Sequence, residues 1–175
     1  MLRRAAAVWG VVGVTLFLSM AVWRVAPHIA EVFTVETTWW QWLAFGFSIV
    51  FMAYTEGYKG FQQKFAPRVA SRVLYLSTHA GWLNGLLAPA FCLGYFGSTR
   101  RRQITAITIS LMIAAIVHFV KEFNAPWRGI VDAGVIVGLS WGLLAFLVFV
   151  RIAFTNPQFS YEPDLSPALA RHYQR

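Results

Sequence analysis

The chain has 175 residues, of which 58% are hydrophobic and 13% are charged, with a mean hydropathy of +0.55 and a net charge of +8. This apolar composition excludes an ordinary soluble domain of this size, so the sequence predicts an integral membrane protein. In a soluble chain such a positive charge would suggest nucleic-acid binding, but here the charges lie in short loops between apolar runs. We therefore expect the lipid bilayer, including its anionic lipids, as the partner of these loops, and no nucleic acid.

The first predicted element is a membrane span over residues 5–23. The run is uncharged, follows Arg3 and Arg4, and at about 1.5 Å per residue approaches the roughly 30 Å hydrocarbon thickness of a bilayer. A cleaved signal peptide is the alternative, but its apolar core is usually about 7–15 residues long and is followed by small residues at the cleavage site. A second span is predicted over 39–55, since it begins with residues typical of the membrane interface, Trp39, Trp40 and Trp42.

Residues 56–72 are basic, and their aromatic and aliphatic side chains recur at helical spacing. This pattern predicts an amphipathic interfacial stretch with two short helices that meet near Ala66, because Pro67 is tolerated in a first helical turn. The alternative is that the stretch consists of the solvated ends of two neighbouring spans. Its cations, together with those of the next basic segment, are candidate ligands of lipid head groups, unless they only determine the topology. They are Lys59, Lys64, Arg68, Arg72, Arg100, Arg101 and Arg102.

The apolar segment 73–97 is predicted to be broken, because it contains residues that disfavour a smooth helix in lipid. These are Gly81, Asn84, Gly85 and Pro89. Two further spans are predicted over 104–120 and 130–150. The proline-broken tail, 156–175, is expected to be extended and outside the bilayer, so that residues 1–155 form a single helical membrane domain.

Charge decides between two topologies. The segments carry +2 at the N-terminus, −1 in the first loop, +3 over 56–72, +3 in the arginine triplet, 0 over 121–132 and +1 in the tail. If 73–97 crosses fully, giving five spans, the triplet lies outside, against the tendency of basic loops to remain cytoplasmic. If 73–97 re-enters or is tilted, the N-terminus and every basic segment are cytoplasmic. We therefore favour an all-α fold with four transmembrane helices and a re-entrant or tilted fifth segment.

The last predicted span carries a glycine ridge. Gly134, Gly138 and Gly142 are four residues apart and share one helix face, which allows another backbone to approach closely. One interpretation is helix packing within the chain. The other is a contact between identical subunits.

Polar residues near the spans form a candidate polar site. Asp132 is the most informative, since a carboxylate in a membrane span requires a partner or a polar cavity. Its structural interpretation is an anchor paired with Arg128 or Lys121, and its functional interpretation is proton or cation handling. The full candidate set is Asp132, Arg128, Glu56, His118, Lys121 and Asn84.

Enzymatic chemistry has no positive support in the sequence. No paired-histidine metal motif, nucleotide fingerprint or nucleophile elbow is present, so no metal and no cofactor is expected. His79 and His118 fall near bilayer depth, but no spacing signature supports a haem between them. The single cysteine, Cys92, cannot form an internal disulfide.

These observations lead to a non-enzymatic multi-span protein as the main expectation: an accessory, assembly or scaffold subunit that acts through helix packing and a basic cytoplasmic face. The alternative is a small transporter or lipid-handling protein with a polar cavity around Asp132, and an interfacial enzyme acting on phospholipid is a third hypothesis. In general terms the chain resembles small bacterial inner-membrane proteins. We expect an integral protein of the bacterial inner membrane.

Overall fold

A computed structural model describes residues 2–173, and within that range the protein is helical, with 82% helix and no strand. Residue 1 of the predicted domain and residues 174–175 of the predicted tail lie outside the description. The α-helices are α1 (Leu2–Val25), α2 (Ala30–Thr34), α3 (Trp39–Met52), α4 (Ala66–His79), α5 (Trp82–Leu86), α6 (Ala88–Leu93), α7 (Arg100–Val120), α8 (Trp127–Thr155) and α9 (Pro167–Tyr173). A 3-10 turn, Ala26–Ile29, joins α1 to α2, and a π-helical segment, Ala53–Phe65, joins α3 to α4.

Three helical stretches are long and apolar enough to cross a membrane: Leu2–Thr34, Arg100–Val120 and Trp127–Thr155. They contain three of the four predicted spans, so the all-helical class is confirmed, and the three stretches are consistent with an integral membrane protein. The predicted span 39–55 is not among the three. Its α-helix ends at Met52 after 14 residues, and the chain continues in the wider π winding.

Helix α8 packs against α1, α2, α3, α4 and the π segment. Along α8, Gly134 faces Ser48 of α3, whereas Gly142 faces Phe61 of the π segment, so these two elements run parallel to α8. Helix α1 runs the opposite way, because Gly129 near the start of α8 lies against His28 just beyond the end of α1.

Helix α4 lies at the centre of the core, which corrects the prediction of an interfacial stretch over 56–72. Most of α4 is buried between α1, α8 and α6, whereas Lys59 and Lys64 of the preceding π segment are exposed. The predicted helix start near Ala66 is confirmed, with Pro67 in the first turn. The two helical segments do not separate at Ala66, whose backbone is in the α conformation, so the π segment continues directly into α4.

The segment 73–97 folds back on itself after α4. Pro89 packs against Gly13 of α1, and the carbonyl of Phe91 returns to the level of Arg72, where the segment began. The tail has no regular helix between α8 and α9, then forms the short helix α9, and packs onto the protein. It forms a short antiparallel bridge from Leu165 to Ser98 before α9 begins.

Candidate functional site

Three polar side chains meet where the end of α1 approaches the start of α8. Asp132 lies in the second turn of α8 and is only 8% exposed. Its Oδ2 lies 3.3 Å from Nδ1 of His28 and 3.8 Å from Nε of Arg128. The triangle is closed by Nη2 of Arg128, which lies 2.6 Å from Nε2 of His28.

The hydrogen-bond chemistry assigns the tautomer of His28. A guanidinium only donates, so Nε2 of His28 must accept the bond from Arg128. The neutral imidazole therefore carries its proton on Nδ1, which faces the carboxylate of Asp132. The 3.3 Å contact is electrostatic rather than a well-aligned hydrogen bond, because Nδ1 has no partner of hydrogen-bond geometry.

A glycine makes this approach of α1 and α8 sterically feasible. A Cβ atom added at Gly129 would lie 2.6 Å from the carbonyl oxygen of His28 and 2.5 Å from Cγ2 of Val32. Both distances are well inside van der Waals contact, so any side chain at Gly129 would push the turn away from α8. Gly129 therefore sets the position of His28 beside Asp132.

The carboxylate of Asp132 is paired and mostly buried. It faces one permanent cation and one N–H donor, while the side chains of Arg128 and His28 are partly exposed. Paired and buried carboxylates of this kind are more consistent with an anchor than with an open ion-handling site. The geometry therefore favours the structural interpretation of Asp132.

The other candidate polar residues are not part of this cluster. Glu56 is exposed beside Gly138, and His118 and Lys121 are exposed at the end of α7. Asn84 is half-buried in α5. Within residues 2–173, no hydrogen bond or ion pair joins any of the four to Asp132.

The glycine ridge is occupied by elements of the same chain. Added Cβ atoms at Gly134 and Gly138 would meet Ser48 of α3 and Glu56 of the π segment, respectively. At Gly142 the added atom would lie 2.5 Å from the ring of Phe61. The ridge thus provides the close approach of α8 to α3 and the π segment, as the packing interpretation expects.

The candidate lipid-contacting cations divide into two groups. Lys59, Lys64, Arg100 and Arg101 are exposed, and Arg68 and Arg102 are half-buried. Arg72 is only 2% exposed and is surrounded by protein acceptors rather than by lipid.

Arg72 is a buried clamp between four segments. Its Nε donates to the carbonyl of Pro163 at 2.9 Å, Nη1 donates to the carbonyl of Phe91, and Nη2 donates to Ser98 Oγ at 2.6 Å and to the carbonyl of Asp164 at 3.1 Å. Burial lowers the pKa of Arg72 to about 10, which still leaves it protonated at neutral pH. One guanidinium thus holds α4, α6, the loop before α7 and the tail together.

No protein-family model matches the chain, and no curated protein or solved structure matches it either. Within the described residues, no group of three His, Cys, Asp or Glu side chains is placed to hold a metal ion.

His28 is the member of the cluster that the sequence reasoning did not identify. A signal for it exists, because the favoured topology places the loop after α1 and the loop before α8 on the same side of the membrane. A histidine in the first of these loops is therefore able to meet the charged residues of the second.

Proposed function

We propose that the protein is a non-enzymatic accessory or assembly subunit of a membrane-protein complex, and that α7 is the helix through which it binds its partner. The observation that carries this proposal is the isolation of α7 within the chain. None of its most apolar 18-residue window is buried, compared with 28% for the span that contains α1 and 33% for α8. Two hydrogen bonds join side chains of α7 to the segment just before it: Ser110 Oγ lies 2.6 Å from the hydroxyl of Tyr95, and Nε2 of Gln103 donates to the carbonyl of Ser98 at 3.4 Å.

The outer face of α7 has the composition of a membrane helix interface. Exposure is continuous from residue 111 to residue 119, and five exposed residues of α7 are spaced four and three apart. Among these five, the small Thr108 and Ala115 are one heptad apart, with large apolar residues between and before them. This spacing suits knobs-into-holes packing against a second helix, and small residues let that helix come close. The face consists of Ile104, Thr108, Leu111, Ala115 and His118.

Use of the glycine ridge within the chain supports the assignment to α7. Because Gly134, Gly138 and Gly142 already lie against α3 and the π segment, α8 has no free glycine face for another subunit. The alternative function, a transporter with a polar cavity around Asp132, gains no support from a carboxylate that is 8% exposed and faces two side chains of its own chain.

We further infer four membrane crossings, with α3 and the π segment as the fourth. These elements run beside α8 from Gly134 to Gly142, and α3 begins with tryptophans typical of the interface. The return of 73–97 to Arg72 supports a re-entrant rather than a crossing segment. This arrangement keeps Arg4, Lys64 and the arginine triplet on one side, which we assign to the cytoplasm of a bacterial inner membrane.

The test is the size of the assembly in its native membrane, extracted with polymer into lipid discs and measured by mass photometry. We expect the wild-type assembly to contain more protein mass than one chain, and we expect Ala115→Leu to reduce it to single chains. Ala114→Leu is the matched control, because Ala114 is equally exposed but points about 100° away from Ala115. Single chains in the wild type, or equal assembly of the two variants, would contradict the proposal.

A further inference from the structure

An apolar cleft opens between α1, α4 and the end of α8, away from the cluster at Asp132. Its volume is about 640 Å³, within the range of roughly 300–1,000 Å³ typical of small-molecule sites. Seven of its nine lining residues are apolar. The lining consists of Arg4, Ala7, Val8, Val11, Val12, Val73, Ser77, Val150 and Phe154.

The walls of the cleft are stiff. Five of the lining residues are valine, whose branched side chain has little freedom to rotate into the empty space. Along α1 the cleft extends from Arg4 to Val12, about 12 Å at the rise of an α-helix. An elongated, rigid and apolar cavity of this kind fits a hydrocarbon chain.

Arg4 supplies the only charge of the lining. It is exposed, and among the side chains of residues 2–170 it has no hydrogen-bond or ion-pair partner. Ser77 offers no competing donor, since its hydroxyl already donates to the carbonyl of Leu74 at 2.7 Å. The free donors at the cleft therefore belong to a guanidinium, whose planar fork suits a phosphate group.

We propose that this cleft binds one anionic phospholipid, with an acyl chain between α1, α4 and α8 and the phosphate on Arg4. The ligand combines the two features of the site: an apolar chain for the valine walls and a negative head group for the unpaired cation. Arg4 at the end of a predicted span lies at the depth of the head groups. The site is independent of α7, so its failure would leave the partner-binding proposal untouched.

The experiment titrates purified full-length protein in detergent with dioleoyl phosphatidylglycerol and counts bound lipids by native mass spectrometry. Dioleoylglycerol, which has the same acyl chains without phosphate, and inorganic phosphate, which has no acyl chain, are the two comparison ligands. We expect one tightly retained phosphatidylglycerol and no comparable retention of either comparison ligand. Equal retention of dioleoylglycerol, or binding of phosphate alone with the same affinity, would overturn the proposal.

Two pairs of variants locate the lipid. Arg4→Gln should weaken phosphatidylglycerol about tenfold, the loss typical of one charge-assisted hydrogen bond, whereas Arg3→Gln removes the same charge outside the cleft and should not. Val8→Trp should fill the cleft and displace the lipid. Leu16→Trp adds the same ring at another exposed position of α1, outside the cleft, and should leave lipid binding unchanged. Equal effects within either pair would show non-specific surface binding and refute the site.

Discussion

Replacement of Arg72 by leucine tests whether a single buried guanidinium holds α4, α6, the loop before α7 and the tail together. The substitution removes four donated hydrogen bonds. The carbonyls of Phe91 and Asp164 keep a backbone N–H donor, whereas the carbonyl of Pro163 and the hydroxyl oxygen of Ser98 lose the donor that Arg72 supplies. At about 0.5–1.5 kcal/mol net for each bond, the loss amounts to roughly 2–6 kcal/mol of unfolding free energy. The local effect should be greatest in the tail, because Pro163 and Asp164 are tied to α4 by their carbonyls.

The assay combines thermal unfolding in detergent with limited proteolysis of residues 156–166. Arg72→Leu should unfold at a lower temperature and be cut in the tail faster than wild type. Arg68→Leu, one turn earlier on α4, is the control, since Arg68 is half-buried and its side chain makes no hydrogen bond with residues 2–170. Unchanged cleavage and stability in Arg72→Leu, or equal effects of the two substitutions, would refute the clamp.

The other predictions concern the ridge, the polar cluster and the topology. Gly142→Ala should destabilise the protein by about 1–3 kcal/mol, because the new methyl group overlaps a phenylalanine ring, whereas Gly46→Ala in open space should be neutral or stabilising in the same unfolding assay. Asp132→Asn should lower the free energy of unfolding by about 1–3 kcal/mol, because it weakens a buried charged contact. Glu56→Gln at an exposed position should change it by less than about 0.5 kcal/mol. The reverse order of the two effects would contradict the role of Asp132 as an anchor. A maleimide should label Thr99→Cys, in a chain without the native cysteine, only from the cytoplasmic side, and labelling from outside would exclude the re-entrant segment.

The apolar spans were predictable because each is a local property of the sequence. The uncharged run after Arg4 and the run before Arg151 are each long enough to cross a bilayer without reference to any other residue. The glycine spacing likewise indicated a close approach of another backbone. Its partners, Ser48 and Phe61, were not predictable, because the sequence does not record which helix lies against which.

The burial of α4 is where local reasoning gave a wrong prediction. The helical spacing of the apolar residues, with cations on the other faces, predicts either an interfacial stretch over 56–72 or the solvated ends of two spans. Arg72 is instead buried, because carbonyls from Phe91 and Pro163, distant in the sequence, converge on it. Likewise His28 reaches Asp132 only through the packing of α1 on α8.

The most direct test of the account is a photo-crosslink from α7 in the living membrane. A photoreactive phenylalanine analogue replaces either Leu111, on the proposed partner face, or Ile109, on the opposite side of the same helix, and both positions are exposed. The account predicts a discrete crosslinked product from position 111, lost when Ala115→Leu is added, and none from position 109. No product from position 111, or the same product from both, would contradict α7 as the partner-binding helix.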